Sequence, residues 1–86
     1  MMPNVEIYTW STCPFCLRAK ALLNRKGVDY IEHCIDGDED ARDGMVKRTG
    51  GPRSLPQIFV DDKYVGDCSG IYDLDAQGKL DPILAL

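Results

Sequence analysis

Val5-Glu6-Ile7-Tyr8-Thr9-Trp10-Ser11-Thr12-Cys13-Pro14-Phe15-Cys16-Leu17-Arg18-Ala19-Lys20-Ala21-Leu22-Leu23-Asn24-Arg25-Lys26-Gly27 reads as a strand, a loop carrying a cysteine pair, and a helix, in that order. Val5 to Thr9 is rich in strand formers, and its apolar and polar positions partly alternate, as in a strand entering a core. From Pro14 to Lys26 the apolar Cys16, Ala19 and Leu23, flanked by Leu22, recur at three- and four-residue steps, while Arg18, Lys20, Arg25 and Lys26 fall toward water. Pro14 suits a first helical turn, where a missing N–H costs nothing, and Gly27 suits the end of the helix. Val28 to Ile35 alternates loosely and predicts a second strand. The helix between the two strands makes a crossover, so they should lie parallel in a βαβ unit.

Further along, Asp36-Gly37-Asp38-Glu39-Asp40 supplies carboxylates that favour the start of a helix running to about Thr49, with the acidic run itself as solvated surface. Gly50-Gly51-Pro52 breaks that helix. Gln57-Ile58-Phe59-Val60 predicts a third strand, and Asp61-Asp62 turns it into Lys63-Tyr64-Val65 as an antiparallel hairpin. Ser69 is the expected N-cap of a last helix that carries Ile71, Leu74 and Tyr72 inward and stops at Gly78. Leu80 to Leu86 has too little pattern for an assignment. The order βαβ, α, ββ, α implies an α/β fold in which a small four-stranded mixed sheet is flanked by helices. With 86 residues, one domain and one modest core are expected over 1–86.

Composition removes several classes of function. Hydrophobic residues at 44% and charged residues at 28% describe a globular chain, not a disordered one. The net charge of −4 leaves no basic surplus to neutralise phosphates, so nucleic acid is not an expected partner. No stretch approaches the roughly 20 apolar residues of a membrane span, and Met1 to Glu6 lacks a basic segment followed by an apolar one. A cytoplasmic location with no membrane partner is therefore the expectation.

Four cysteines in a short chain raise three possibilities. A disulfide scaffold needs an oxidising compartment, for which the sequence carries no export signal. A zinc site needs a second close pair, but Cys34 and Cys68 stand far apart, and His33 neighbours Cys34 in an expected strand, where adjacent side chains face opposite ways. No metal site is expected. What remains is redox chemistry at Cys13 and Cys16, a C-x-x-C between a strand and a helix. Cys13 would sit at the positive end of the helix, where free N–H groups favour the thiolate, the form that attacks a disulfide. Cys16 would lie one turn in, beside Cys13 and more shielded, as the resolving thiol.

Tyr8-Thr9-Trp10-Ser11-Thr12-Cys13-Pro14-Phe15-Cys16 resembles the redox loop of dithiol glutaredoxins, whose signature is Cys-Pro-aromatic-Cys. Ser54-Leu55-Pro56-Gln57-Ile58-Phe59 resembles that family's Thr-Val-Pro segment with its cis proline, and Gly66-Asp67-Cys68-Ser69 resembles its Gly-Gly glutathione loop. The likeness spans nearly the whole chain. It implies a thioredoxin-like fold and a glutathione-dependent thiol–disulfide oxidoreductase, with a potential of roughly −200 to −230 mV. It also implies glutathione as co-substrate with no tightly bound cofactor, and glutathionylated or disulfide-containing proteins as partners of a monomeric enzyme.

The residues that the resemblance offers to glutathione are Phe15, Arg53, Ser54, Leu55, Pro56, Cys68 and Ser69. The Leu55 backbone would pair with the cysteinyl portion in strand fashion, and the N–H groups of Cys68 and Ser69 would hold the γ-glutamyl carboxylate. Trp10 stands where many relatives carry a lysine, and Arg53 is the expected substitute cation for the glycyl carboxylate. Asp67 replaces the second glycine of the glutathione loop, and Ser69 and Gly70 replace two aspartates, so a carboxylate at Asp67 would weaken binding of an anion. Cys34 and Cys68 are read as structural. Two other readings stay open. One is an iron–sulfur cluster held between protomers by Cys13 and glutathione, against which Pro14 argues. The other is a glutathione-dependent arsenate reductase.

Overall fold

The computed structural model describes residues 3–86, so the first two positions of the single domain expected over 1–86 lie outside the described residues. Strand β1 (Val5–Thr9) leads into helix α1 (Pro14–Arg25), followed by β2 (Ile31–Cys34), α2 (Glu39–Thr49), β3 (Gln57–Val60), β4 (Lys63–Gly66), α3 (Cys68–Ala76) and α4 (Leu80–Ile83). The four strands form one sheet in the order β2-β1-β3-β4. β1 pairs parallel with β2 and antiparallel with β3, and β3 pairs antiparallel with β4. This is the mixed sheet that a βαβ unit followed by a hairpin requires. The hairpin turns through Asp61 and Asp62, both at positive φ, as a two-residue turn with the strands' own twist demands.

Alternation along β1 separates the two faces of the sheet. Val5, Ile7 and Thr9 are buried on one side, where Ile7 and Val5 join Ile58 and Val60 of the sheet, Ala19, Leu22 and Leu23 of α1, and Ile71 of α3 in the main core. Glu6 and Tyr8 point to the other side, toward α2, whose Arg48 reaches both. Tyr72 and Leu74 pack on the main core from α3 and Leu80 joins it from α4, the segment without a readable pattern.

The boundaries of β2 and α3 differ from expectation, each for a local reason, while α2 starts within the acidic run and ends at Thr49 as expected. The second strand begins at Ile31 and not at Val28, because the end of α1 consumes the intervening backbone. Gly27 takes positive φ, its N–H bonds to Asn24 O, and the Val28 N–H reaches back to Leu23 O, a Schellman closure of the helix. Helix α2 starts at Glu39 with Asp38 as its N-cap, accepting from the Ala41 N–H at 3.0 Å. Asp36, exposed as the sequence predicts for the acidic run, also binds the backbone N–H of Ser11 at 2.8 Å and its hydroxyl. It thereby tethers the loop that carries Cys13.

The other difference is at α3. Its N-cap is Asp67, whose carboxylate accepts from the Gly70 N–H at 2.8 Å, while Ser69 lies inside the first turn. Aspartate and serine are nearly equal as N-caps, so residue type alone does not choose between positions two apart. Backbone geometry does. Gly66 takes φ 146°, which L side chains rarely adopt, and Asp67 follows with the extended backbone (φ −94°, ψ −166°) of an N-cap. The chain therefore enters the helix at Asp67.

Candidate active site

The end of β1 and the start of α1 place the cysteine pair. Cys13 is the N-cap of α1, with extended backbone, and its Sγ accepts a hydrogen bond from the Cys16 N–H at 3.1 Å. Pro14 occupies the first helical turn, where it withholds no needed donor. The helix thus begins at the sulfur. Its free amides and its dipole both favour negative charge there.

The two thiols have different surroundings. Cys13 is half-buried and Cys16 is 1% exposed. Burial pushes the Cys16 thiol up to about 12, and the neighbouring Cys13 adds to this, while the Trp10 backbone amide and the Lys20 ammonium oppose it. One sulfur is available to a substrate, and the other is held protonated beneath it.

The Leu55–Pro56 peptide is cis, and the Leu55 carbonyl oxygen lies 3.6 Å from the Cys13 Sγ. Beside it runs a groove of about 230 Å³ lined by Phe15, Ser54, Leu55, Pro56, Asp67, Cys68 and Ser69. Phe15 is 56% exposed, a large apolar surface left open at the edge of the groove. Gln57 closes the far side from within β3: its side-chain amide donates to the Ser54 carbonyl at 2.9 Å and to the Ser54 hydroxyl, and its oxygen accepts from the Tyr64 hydroxyl at 2.6 Å. The wall made by Ser54, Leu55 and Pro56 is therefore braced from the core.

Of the residues expected to meet glutathione, Phe15, Ser54, Leu55, Pro56, Cys68 and Ser69 line this groove together. Arg53 does not line it. Its guanidinium turns to α2, where it pairs with Asp43 at 3.1 Å and Glu39 at 3.5 Å. Asp67 does line it, and its carboxylate is engaged as the cap of α3.

Two arginines beside the redox loop carry no sequence signal. Arg42 of α2 places its guanidinium 5.1 Å from the centre of the Trp10 ring, with a buried Nε that has no hydrogen-bond partner among the described residues. Arg18 lies between Phe15 and Tyr72, 5.9 and 5.7 Å from the two ring centres. Cation–π contacts of this kind bring together residues far apart in the chain. Cys68 is buried in the groove wall with its thiol pushed up by that burial, and Cys34 is exposed at the end of β2. A larger hollow of about 460 Å³ lies between β4, α3 and α4, but no cysteine lines it.

Comparison with known proteins agrees with this geometry. The glutaredoxin family model matches residues 5–65. A probable glutaredoxin of Synechocystis is 65% identical over 81 residues, covering 94% of this chain and 92% of its own. Glutaredoxin 3 of Escherichia coli is 54% identical over 83 residues, covering 96% and 99%. Among solved structures, the buckwheat glutaredoxin–glutathione complex superimposes with a TM-score of 0.86 at 27% identity, over 96% of this chain and 77% of that one. No helix among the described residues is long and apolar enough to cross a membrane. With its cysteine pair at the head of α1 and a thioredoxin-like sheet behind it, the chain belongs to the glutaredoxin family, the glutathione-dependent thiol–disulfide oxidoreductases, as a dithiol member.

Proposed function

We propose that the protein reduces glutathione mixed disulfides through Cys13 alone and protein disulfides through Cys13 and Cys16 together. The observation that carries this reading is the contrast between a half-buried Cys13 at a helix N-terminus and a buried Cys16 whose N–H bonds to the Cys13 sulfur. The Cys13 thiolate attacks the glutathione sulfur of a mixed disulfide, the substrate thiolate leaves, and Cys13 carries glutathione. A second glutathione then attacks that sulfur, releasing glutathione disulfide and restoring Cys13. With a protein disulfide, Cys13 forms the mixed disulfide and Cys16 closes onto Cys13, expelling the second substrate sulfur.

The groove beside Cys13 suits a short peptide with two carboxylates. Phe15 offers an apolar wall, the backbone around Leu55 offers strand-type pairing, and the first amides of α3 at Cys68 and Ser69 offer donors to one carboxylate. For the other carboxylate the chain's cation is Arg42, whose guanidinium stacks on Trp10 of the redox loop, in place of Arg53, which pairs with Asp43 and Glu39 of α2.

The test uses a glutathione mixed disulfide and a protein disulfide in parallel. Cys13→Ser abolishes turnover of both. Cys16→Ser keeps deglutathionylation and loses reduction of the protein disulfide. Equal loss from both substitutions on both substrates would refute this division of labour.

A further inference from the structure

We propose that Lys20, held in place by Glu32, is a positioning residue for the dithiol route, its ammonium stabilising the negative charge that Cys16 carries while it attacks the mixed disulfide. The inference rests on the resolving role of Cys16 given above.

The resolving step requires a charge in the least hospitable place in the site. Cys16 Sγ forms a bond to Cys13 Sγ, the bond between Cys13 Sγ and the substrate sulfur breaks with its electron pair leaving on the substrate, and the proton lost by Cys16 ends on that departing thiolate. No other oxidant or reductant enters. The nucleophile is the thiolate, yet Cys16 is 1% exposed, so water does little to stabilise it. The protein must supply that stabilisation.

Cys13 caps the helix that carries this sulfur, and Lys20 is the cation that follows on the same helix and favours the Cys16 thiolate. Lys20 follows Cys16 by one helical turn on α1, an i,i+4 spacing that sets two side chains on one face about 6 Å apart at their Cβ atoms. The coupling is mutual, since Cys16 in turn raises Lys20. Lys20 is not free to wander into solvent. Its Nζ lies 3.1 Å from Glu32 Oε2 in β2, and the same oxygen accepts from the Thr9 hydroxyl at 2.7 Å. Thr9 is 1% exposed at the end of β1, directly before Trp10, so the cluster is anchored to the strand that launches the redox loop. Tyr30 is the remaining titratable neighbour of Lys20.

This arrangement has a signature that ordinary destabilisation would not produce. Lys20 favours the Cys16 thiolate, whereas Glu32 partly neutralises Lys20. Removing the two charges should therefore move the resolving step in opposite directions.

The experiment measures reduction of insulin disulfides and of a glutathione–cysteine mixed disulfide by the full chain across pH 6 to ~9, the range bracketing ordinary thiol titration. Lys20→Met should slow insulin reduction at neutral pH by roughly threefold, the size of one partly screened charge interaction. The loss should persist across this range, because a thiol pushed up to about 12 stays far from its midpoint throughout, and Lys20→Arg should restore most of it. Glu32→Gln should speed insulin reduction at each pH in that range. Neither should alter turnover of the mixed disulfide in a Cys16→Ser background, where there is no thiol at position 16 to act on. Insulin reduction at the original rate in Lys20→Met, equal slowing on both substrates, or a rate change in the same direction from both variants would overturn the inference. Retention of insulin reduction by Cys16→Ser alone would instead overturn the resolving role beneath it.

Discussion

The backbone N–H of Cys16 donates to the Sγ of Cys13 across 3.1 Å, so the group that stabilises the outer sulfur belongs to the residue carrying the inner one. Helix geometry enforces this pairing whenever a cysteine is the N-cap and another sits at the third helical position. The consequence is two neighbouring thiols with unequal access, the inner one pushed up by its burial.

Brief alkylation with iodoacetamide at neutral pH should distinguish them. Cys13 is half-buried and Cys34 exposed, whereas Cys16 and Cys68 are buried with thiols pushed up by that burial. Peptide mapping by mass spectrometry should find Cys13 and Cys34 modified and the other two untouched, with all four reacting once the chain is unfolded in denaturant. Modification of Cys16 as fast as Cys13 in the native protein would contradict the environments described here.

Asp67 should be the energetic start of α3. Replacing it by alanine removes the acceptor for the Gly70 N–H and should cost about 1 kcal/mol of stability, seen as a lowered urea midpoint. Asp67→Ser should keep most of that. Ser69→Ala, at the position the sequence favours as cap, should stay within ~0.5 kcal/mol of the parent. If Ser69 proves the costlier of the two, the helix begins later than Asp67.

Glutathione affinity should separate Arg42 from Arg53. Arg53 pairs with Asp43 and Glu39, while Arg42 stands over Trp10 of the redox loop. Arg42→Met should raise the KM for glutathione by roughly tenfold, as loss of a charged hydrogen bond does, and Arg53→Met should leave it within about twofold. The reverse order would return Arg53 to the groove.

What could be read from the chain and what could not divides by distance. The redox loop, α1 and the β3–β4 hairpin follow from local chemistry: an N-capping cysteine before proline, a three-four apolar rhythm, and two aspartates in a turn. Leu55 and Pro56 could be placed beside Cys13 only through family likeness, since no rule of spacing joins residues some forty positions apart. Val28 lies outside the strand because helix closure claims its N–H, a local competition between two uses of one donor that alternation does not reveal. Arg42, Arg48 and Asp36 left no trace in any pattern. Each works by reaching across the fold to Trp10, Glu6 or Ser11, and a charged residue on a helix looks the same whether it meets water or a partner.

Arg48 supplies the clearest pH dependence. Its guanidinium donates to both Glu6 oxygens, at 2.8 and 3.2 Å, and to the Tyr8 hydroxyl at 2.8 Å, and it lies 4.1 Å from the centre of the Phe59 ring. These contacts hold the Glu6 carboxyl below its ordinary value of 4.5, with the Arg48 hydrogen bonds the largest cause. Because the folded value is the lower one, the unfolded chain binds the proton more readily between the two. Stability from this pair is therefore complete above about pH 5 and is lost as pH falls through the ordinary value and then the folded one. Arg48→Met should cost about 2 kcal/mol at pH 7, since it strands a carboxylate that is 12% exposed with only His33 beside it at 3.0 Å. The gap between variant and parent should shrink toward pH 3, where a protonated Glu6 no longer needs the guanidinium; urea midpoints measured from pH 7 to ~3 follow it. Parallel curves across that range would show that Arg48 stabilises by packing on Phe59 and not by charge. If the curves converge, the same pair explains how α2 is fastened to the sheet, and α2 is the helix that brings Arg42 to the redox loop.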